Sequence, residues 1–255
     1  MKLASWNVNS LRARLDRVLA WLSAQAPDVL LLQETKVTDA EFPAEPLQAA
    51  GYHALFHGQK TYNGVAVLAR TPPLEVARGL GDGGDEAGAR VLVADVGEVR
   101  VASVYVPNGR AVDTPHFAEK LAWLGRLRQR LAPLAAPGRP LVVGGDWNVT
   151  PDDRDVYDPE GLRDTIHCHP AERAALAELL ASGLVDTFRL HHADAGHYSW
   201  WDYRQLGFPK NRGLRLDLLL CGRELASRCT AAGIDRDARK GQGASDHTPI
   251  WMTID

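Results

Sequence analysis

Residues 141–151 read LVVGGDWNVTP. The apolar opening, Leu141 to Val143, has the continuous hydrophobicity of a strand buried on both faces. Gly144 and Gly145 follow, and glycines inside a strand mark a place where another backbone or a ligand comes close. Asp146 and Asn148 come next, two residues apart. If the strand continues through them, both side chains emerge on one face. A carboxylate and a carboxamide then stand side by side where a buried strand ends. A buried strand running into an ordinary polar turn explains the same letters, so the stretch has to be judged by the rest of the chain.

The chain starts with KLASWNVNS, residues 2–10, which alternates as a strand does. Leu3, Ser5, Asn7 and Asn9 share one face, and Ala4, Trp6 and Val8 the other. Ser10 is expected to cap a helix carrying Leu11, Leu15, Val18, Leu19 and Leu22 at helical spacing. Pro27-Asp28 breaks that helix, and VLLLQETK, residues 29–36, follows as a buried strand ending on Glu34. Residues 64–70, 89–96 and 99–106 read as further strands, and GDGGDEAG, residues 81–88, as a surface loop. Phe117, Leu121, Leu124, Leu127 and Leu131 mark a second amphipathic helix, ended by Pro133 and Pro137-Gly138.

Beyond the opening stretch, residues 152–163 read as an acidic, irregular loop. A helix starts at Pro170, carries Leu176, Leu179 and Leu180, and stops at Gly183. LVDTFR (184–189), HYSWWDY (197–203), LRLDLLLC (214–221) and PIWMTI (249–254) are expected strands. The tripeptide Trp-Asn-Val occurs at Trp6 and again at Trp147, which suits two similar half-sheets serving one shared site. Many strands and few helices favour an α/β (α+β) architecture of two stacked sheets with helices outside. No linker or shift of composition divides the chain, so residues 1–255 are expected to form a single domain.

Composition sets the class. Hydrophobic residues are 45% and charged residues 24%, as in soluble globular proteins. No apolar run reaches the roughly 18 residues of a membrane span, and the N-terminus lacks the pattern of a secretory signal. Cys168, Cys221 and Cys229 cannot all pair internally, which suggests a reducing compartment, the cytoplasm. A formal net charge of -3 excludes a generic polyanion binder but leaves room for a basic face beside an acidic centre.

Polar residues recur at the ends of apolar strands: Asn7, Glu34, Tyr105, Asp146, Asn148 and Asp217. Asp246-His247 precedes the last apolar strand. Glu34, Asp246, Asn7 and Asn9 are hard oxygen donors, suited to Mg²⁺ or Mn²⁺ rather than Zn²⁺. His167-Cys168-His169 matches no common zinc spacing, and His53 and His57 read as surface histidines. Serine-hydrolase elbow, Walker A loop and GxGxxG are all absent. Asp217, set among leucines, needs a partner; His247 is one candidate and an ion pair with Arg215 is another. A hard cation, a His–Asp pair, a water-activating Asp, and an Asn and a Tyr to hold oxygens together describe phosphodiester hydrolysis.

The segments SWNVNSLRAR, PDVLLLQETK, YVPNGR, GDWNVTP, LVDTFR, SWWDYR, NRGLRLDLLL and SDHTPIW resemble, in order and spacing, the exonuclease III family of apurinic/apyrimidinic (AP) endonucleases. That family sits within the endonuclease/exonuclease/phosphatase, DNase I-like superfamily. The resemblance runs nearly end to end and implies a four-layer α/β sandwich. It also implies a monomeric, Mg²⁺-dependent enzyme of base excision repair that accepts Mn²⁺. Such an enzyme cleaves duplex DNA 5′ to abasic sites, with 3′→5′ exonuclease and 3′-end-cleaning activities; a predominantly 3′→5′ exonuclease with weak AP-site incision is the alternative.

By motif, the resemblance implies Glu34 as main metal ligand with Asn7 and Asp246 beside it, and Asp146 and Asn148 at a second metal position. It makes Asp146 the water activator, Asn148 a phosphate anchor, His247 a phosphate contact oriented by Asp217, and Tyr105 a partner of the phosphate or leaving group. Asn9 stands where some relatives carry Asp. Trp200, Leu214 and Leu216 would wall the pocket for an extruded abasic sugar, whose lack of a base makes extrusion inexpensive. Arg110, Lys36, Lys210, Arg212 and Lys240 are candidate DNA contacts. In the variable loop 157–173, His167 or His169 is expected to narrow the sugar pocket. Two other readings compete: a phosphodiesterase of RNA ends or small molecules, and a silent DNA-binding relative. SWWDYR and NRGLRLD argue against the first, and the intact set Glu34, Asp146, Asn148, Asp217 and His247 against the second.

Overall fold

The computed structural model describes residues 1–83, 88–135 and 138–255, so parts of the expected 81–88 loop and Pro137 lie outside it. The chain opens with β1 (Lys2–Asn7), α1 (Leu11–Gln25) and β2 (Val29–Gln33), with β1 and β2 paired in parallel. Next come α2 (Ala44–Ala49), β3 (His53–His57), β4 (Val65–Ala69), β5 (Leu74–Arg78) and β6 (Val91–Val96). A second parallel unit follows: β7 (Val99–Tyr105), α3 (Pro115–Leu131) and β8 (Leu141–Asp146). Then come α4 (Pro159–Leu162), α5 (Pro170–Ala181), β9 (Leu184–Asp186), α6 (Thr187–His191), β10 (Asp217–Gly222), α7 (Arg223–Ala226), β11 (Cys229–Ile234) and β12 (Ile250–Ile254).

The strands make two six-stranded sheets of mixed direction, ordered β11-β12-β1-β2-β4-β3 and β5-β6-β7-β8-β10-β9. Their inner faces meet through Leu3, Leu31, Val67, Leu92, Val101, Val142 and Leu219. The outer face of the first sheet packs Trp6, Leu30 and Leu32 against Val18, Trp21 and Leu22 of α1. The outer face of the second packs Val143, Val104 and Leu218 against Leu124 and Leu127 of α3 and Leu176 and Leu179 of α5. The result is a helix–sheet–sheet–helix sandwich. Strands covered on both faces need apolar residues on both, which is why β2, VLLLQ, shows no alternation.

Several sequence expectations are corrected. β8 stops at Asp146, and Asn148 has a left-handed backbone with φ 51°, so the two side chains are not successive members of one strand face. Ser10 makes no capping hydrogen bond; α1 is instead started by Ser10 N and Leu11 N donating to the carbonyls of Glu34 and Thr35. LVDTFR is strand only through Asp186, whose carboxylate accepts from Phe188 N at 3.1 Å and turns the rest into α6. HYSWWDY joins neither sheet: Trp200 bridges Leu214 and His247, linking two loops. In LRLDLLLC the strand begins only at Asp217. Residues 152–163 contain a 3₁₀ turn (Asp153–Asp155) and α4 within the expected loop. The two Trp-Asn-Val tripeptides are not topologically equivalent: the first ends the leading strand of its β-α-β unit, the second follows the closing strand. Among the described residues no helix is long and apolar enough to cross a membrane.

The glycines of the opening stretch serve the sandwich itself. A Cβ on Gly145 would lie 1.9 Å from the Val104 carbonyl oxygen of the parallel neighbour β7. One on Gly144 would lie 2.7 Å from both Leu219 and Leu31, the latter on the opposite sheet. The room they leave is taken by neighbouring strands, not by a phosphate. Gly145→Ala should therefore destabilise the fold by roughly 1–3 kcal/mol, the usual cost of overpacking. Urea denaturation reads this directly, and an unchanged midpoint would contradict the packing described.

Candidate active site

The site lies where the ends of β1 and β2 meet the ends of β7, β8 and the start of β10. Register places Tyr105 and Asp217 on either side of Asp146 across three adjacent strands. Asn7, the last residue of β1, reaches across from the other sheet. Its Nδ2 donates to Glu34 Oε1 at 2.8 Å and to Asp146 Oδ2 at 2.9 Å. One carboxamide thus joins carboxylates from both halves of the sandwich.

Asp146 is almost wholly buried. Its Oδ1 accepts from Asn148 N at 2.9 Å and its Oδ2 from Asn148 Nδ2 at 3.2 Å. Burial raises its pKa most; the charge of His247 opposes that, Asp217 and Glu34 add to it, and the outcome is about 7. His247 Nδ1 donates to Asp217 Oδ2 at 2.8 Å, and its Nε2 lies 3.7 Å from Asp146 Oδ2. Burial works against the imidazolium, but Asp217 first and Asp146 second outweigh it and lift His247 to about 10. Asp217 Oδ2 also accepts from Ser199 Oγ at 2.6 Å, and that hydroxyl in turn accepts from the backbone N–H of Leu216 and Asp217. Arg215 is not its partner: the guanidinium is committed to Asp155 and Asp186.

Glu34, Asp146 and His247 each offer a ligand atom, all within 4.8 Å of one another, so an acidic cluster able to hold a metal is present. The cluster is mainly oxygen, and a protonated His247 has no lone pair to give. This donor chemistry suits a hard divalent cation. Lys36 Nζ rests on Glu34 Oε2 at 2.7 Å and on Asn9 Oδ1 at 2.6 Å, so these oxygens already attract a cationic head, and Lys36 faces the cluster rather than open solvent. As placed, Asn7 presents N–H groups to the carboxylates while its Oδ1 accepts from Asn9 N at 3.0 Å. Asp246 stands one step back: its oxygens accept from Asn9 Nδ2 at 2.9 Å and Trp200 Nε1 at 3.0 Å.

Asn148 is clamped from all sides. Its Nδ2 donates to Val106 O at 3.0 Å, and Asn108 Nδ2 donates to its Oδ1 at 3.2 Å. Its carbonyl accepts from Lys120 Nζ at 2.7 Å and from His167 Nδ1 at 2.6 Å. Lys120 is fully buried, paired with Glu172 of α5, and also donates to Asn108 O. Tyr105 lies under the Arg90 guanidinium, 4.8 Å from the ring centre. Burial, then the charges of Glu34 and Asp146, keep its phenol protonated and hence a donor.

Beside this centre is a cavity of about 500 Å³ bounded by Trp200, Leu214, Leu162, Ile166 and His167, with Arg212 also lining it. Leu216 does not reach it; with Val156 and Cys168 it packs behind Leu214. His167 is buried and neutral, its pKa pushed down to about 3 by burial and then by the Lys120 charge. His169 is elsewhere: its Nδ1 accepts from Ala171 N at 3.2 Å to cap α5, and its ring packs on Phe117. On the other side of Tyr105 a cavity of about 380 Å³ is lined by Glu34, Arg90, Asn108 and Arg110. Lys210 is exposed, and Lys240 is paired with Asp237 at 2.6 Å. Ser199, Asn108, Arg90, Lys120 and Glu172 were not singled out from sequence; only Asn108, inside the Pro-Asn-Gly turn, carried any local signal.

A model of the Endonuclease/Exonuclease/phosphatase family matches residues 4–247. Exodeoxyribonuclease III of Haemophilus influenzae is 39% identical, over 98% of this chain and 98% of its own. Among solved structures, the 3′ phosphatase NExo from Neisseria bound to a product DNA hairpin is 40% identical, with TM-score 0.98, covering 100% of this chain and 99% of its own. An AP endonuclease from Archaeoglobus fulgidus is 35% identical, with TM-score 0.95, over 100% of this chain and 99% of its own. The chain therefore belongs to the Endonuclease/Exonuclease/phosphatase family, as an exonuclease III-like DNA-repair nuclease that hydrolyses DNA phosphodiester bonds.

Proposed function

We propose that this enzyme, residues 1–255 acting as one unit, is a Mg²⁺-activated nuclease of duplex DNA that cleaves 5′ to abasic sites and processes 3′ ends. The observation that carries this reading is Asp146, tied by Asn7 to Glu34 on one side and facing His247 on the other. Glu34 and Asp146 would hold the cation, with Asn7 joining them if its amide turns over. The cation would polarise a phosphoryl oxygen. Asp146 takes the proton of the attacking water, and a pKa near 7 suits a general base at neutral pH. His247, an imidazolium held by Asp217, aims its Nε2 proton at the phosphate and stabilises the charge that develops there. Tyr105 supplies a donor to a phosphate oxygen, and Asn148, whose N–H groups donate to Val106 O and Asp146, holds Asp146 in place beneath it. Trp200 and Leu214 wall the adjacent cavity for the terminal or abasic sugar; Arg110, Arg212 and Lys36 lie around the site as candidate DNA contacts, and exposed Lys210, two residues from Arg212, is another.

A second observation biases the reading toward 3′ ends. His167 stands between Asn148 and Trp200, 6.4 Å from the indole centre, and takes up room on the sugar side of the cavity. An internal abasic sugar has to bring two flanking strand segments past this ring, whereas a 3′-terminal sugar brings one. The activity for which the similar Neisseria structure is named, a 3′ phosphatase, is in keeping with this bias.

kcat/KM for duplex DNA at saturating Mg²⁺ should rise below pH about 7 as Asp146 loses its proton and fall below pH about 10 as His247 loses its own, because a cation on these carboxylates lowers both values. Asp217→Asn should move the alkaline limb to lower pH, because Asp217 contributes most to holding that proton; an unmoved limb would contradict the pairing. Chelation should abolish hydrolysis, with Mg²⁺ or Mn²⁺ restoring it, and activity persisting in chelator would refute metal dependence. His167→Gly should raise the rate of abasic-site incision relative to 3′-end removal, read on two labelled duplexes. His169→Gly should leave that ratio alone; Gly is itself a tolerated N-cap, so the cap change costs about a few tenths of a kcal/mol, beside the lost packing on Phe117.

A further inference from the structure

A second group of metal-binding side chains lies in HHADAGH, at the end of α6, and shares no residue with the cluster around Asp146. His192, Asp194 and His197 each offer a ligand atom, all within 4.8 Å of one another. The loop that carries them is held in place. Arg189 Nη1 donates to the carbonyls of His192 at 3.0 Å and Asp194 at 2.7 Å. Arg154 Nη1 donates to Ala193 O at 3.0 Å. Both imidazoles pack on Phe188: His192 stacks at 4.4 Å between ring centres and His197 meets the ring edge-on at 5.4 Å.

The tautomer of the neutral His192 ring is also set. Its Nε2 lies 2.8 Å from the Ala232 carbonyl oxygen on β11. A carbonyl only accepts, so Nε2 carries a proton, and in the neutral ring the lone pair is then on Nδ1. Metal-bound histidines are oriented in this way, by donating the other ring N–H to a backbone carbonyl or carboxylate. Asp194 Oδ2 and His197 Nε2 are already 2.9 Å apart. Two imidazole nitrogens and one carboxylate oxygen form a borderline-soft set that leaves a fourth position open, the chemistry of Zn²⁺ and unlike that of a hard cation. Because Asp194 is exposed, its side chain can close the remaining distance to bonds of about 2.0–2.2 Å without moving the fold.

We propose that His192, Asp194 and His197 bind Zn²⁺, or a transition metal of like preference, at a site separate from the catalytic centre. The bound ion fastens the 192–197 loop to β11 and, through Arg189 and its 2.5 Å contact with Asp155, to the buried ion pair of Asp155 with Arg215. The site stabilises the fold by binding the native state alone.

The test uses the full chain without a histidine tag, with Mg²⁺ in saturating excess to fill the catalytic centre. Equilibrium dialysis against Zn²⁺ should show one equivalent per chain that Mg²⁺ does not displace, with a rise in Tm. His197→Gln and His192→Gln should each lose that equivalent and the Tm rise, while their DNA hydrolysis in Mg²⁺ stays at the wild-type rate. Co²⁺ in place of Zn²⁺ should give a visible absorption band that both variants lack. Should His192→Gln fail to fold, His197→Gln still decides the matter, since that ring is half-exposed and interacts, among the described residues, with Asp194, Phe188 and His192. Wild-type protein that retains no Zn²⁺ in Mg²⁺, or variants that bind it as wild type does, would overturn the proposal.

Discussion

The catalytic centre depends on one carboxamide. Asn7 closes β1 in the first sheet, and its Nδ2 is shared between Glu34 of that half and Asp146 of the other. Two carboxylates brought together repel each other, and both are partly or wholly removed from water. A neutral donor with two N–H groups offsets that repulsion without cancelling either charge. The packing of the sandwich below serves this contact. Ser5, Gln33 and Ser103 hydrogen-bond across the interior beneath it, and Gly144 and Gly145 let β8 lie close to β7 and to the opposite sheet. Remove the shared amide and the two halves still pack, but nothing sets the spacing of their carboxylates.

Charge in the centre is graded. Asp217 stays behind His247, held by the Ser199 hydroxyl, which itself accepts from two backbone N–H groups, and so commits His247 to the protonated form. Asp146 faces that imidazolium, yet burial and two other carboxylates raise its own pKa. A base that ionises near neutral pH thus stands beside an acid that keeps its proton well above it. Environment alone separates the two groups, because neither residue type has such a pKa in water.

Much of the fold was legible, because long apolar runs such as VLLLQ and LVVGG can only be buried strands and the two amphipathic helices have clear stripes. The short edge strands β3 and β5 and the helix α6 were not, since a few half-exposed residues carry too little periodicity. The polar strand ends Asn7, Glu34, Asp146 and Asp217 stood out because apolar runs stopped at them. Less visible was the backbone that aims them. Asn9, Ser10, Glu34, Lys36, Arg110, Asn148 and His167 all have positive φ, a costly conformation for residues with a Cβ that is gathered around the site. Asn148 is held in this conformation by tertiary contacts, the Lys120 and His167 donors on its carbonyl, which no local pattern encodes. Lys120 carried no signal in the sequence; the fold shows that it is buried against Glu172.

Asn7 acts through the carboxylates it joins. A double-mutant cycle of Asn7→Ala and Glu34→Gln, read as single-turnover hydrolysis of duplex DNA at saturating Mg²⁺, tests it most directly. If Asn7 works by placing Glu34 against Asp146, the double variant will be about as slow as Glu34→Gln alone. Two losses that simply multiply would show that Asn7 acts independently of the cluster and would contradict the account.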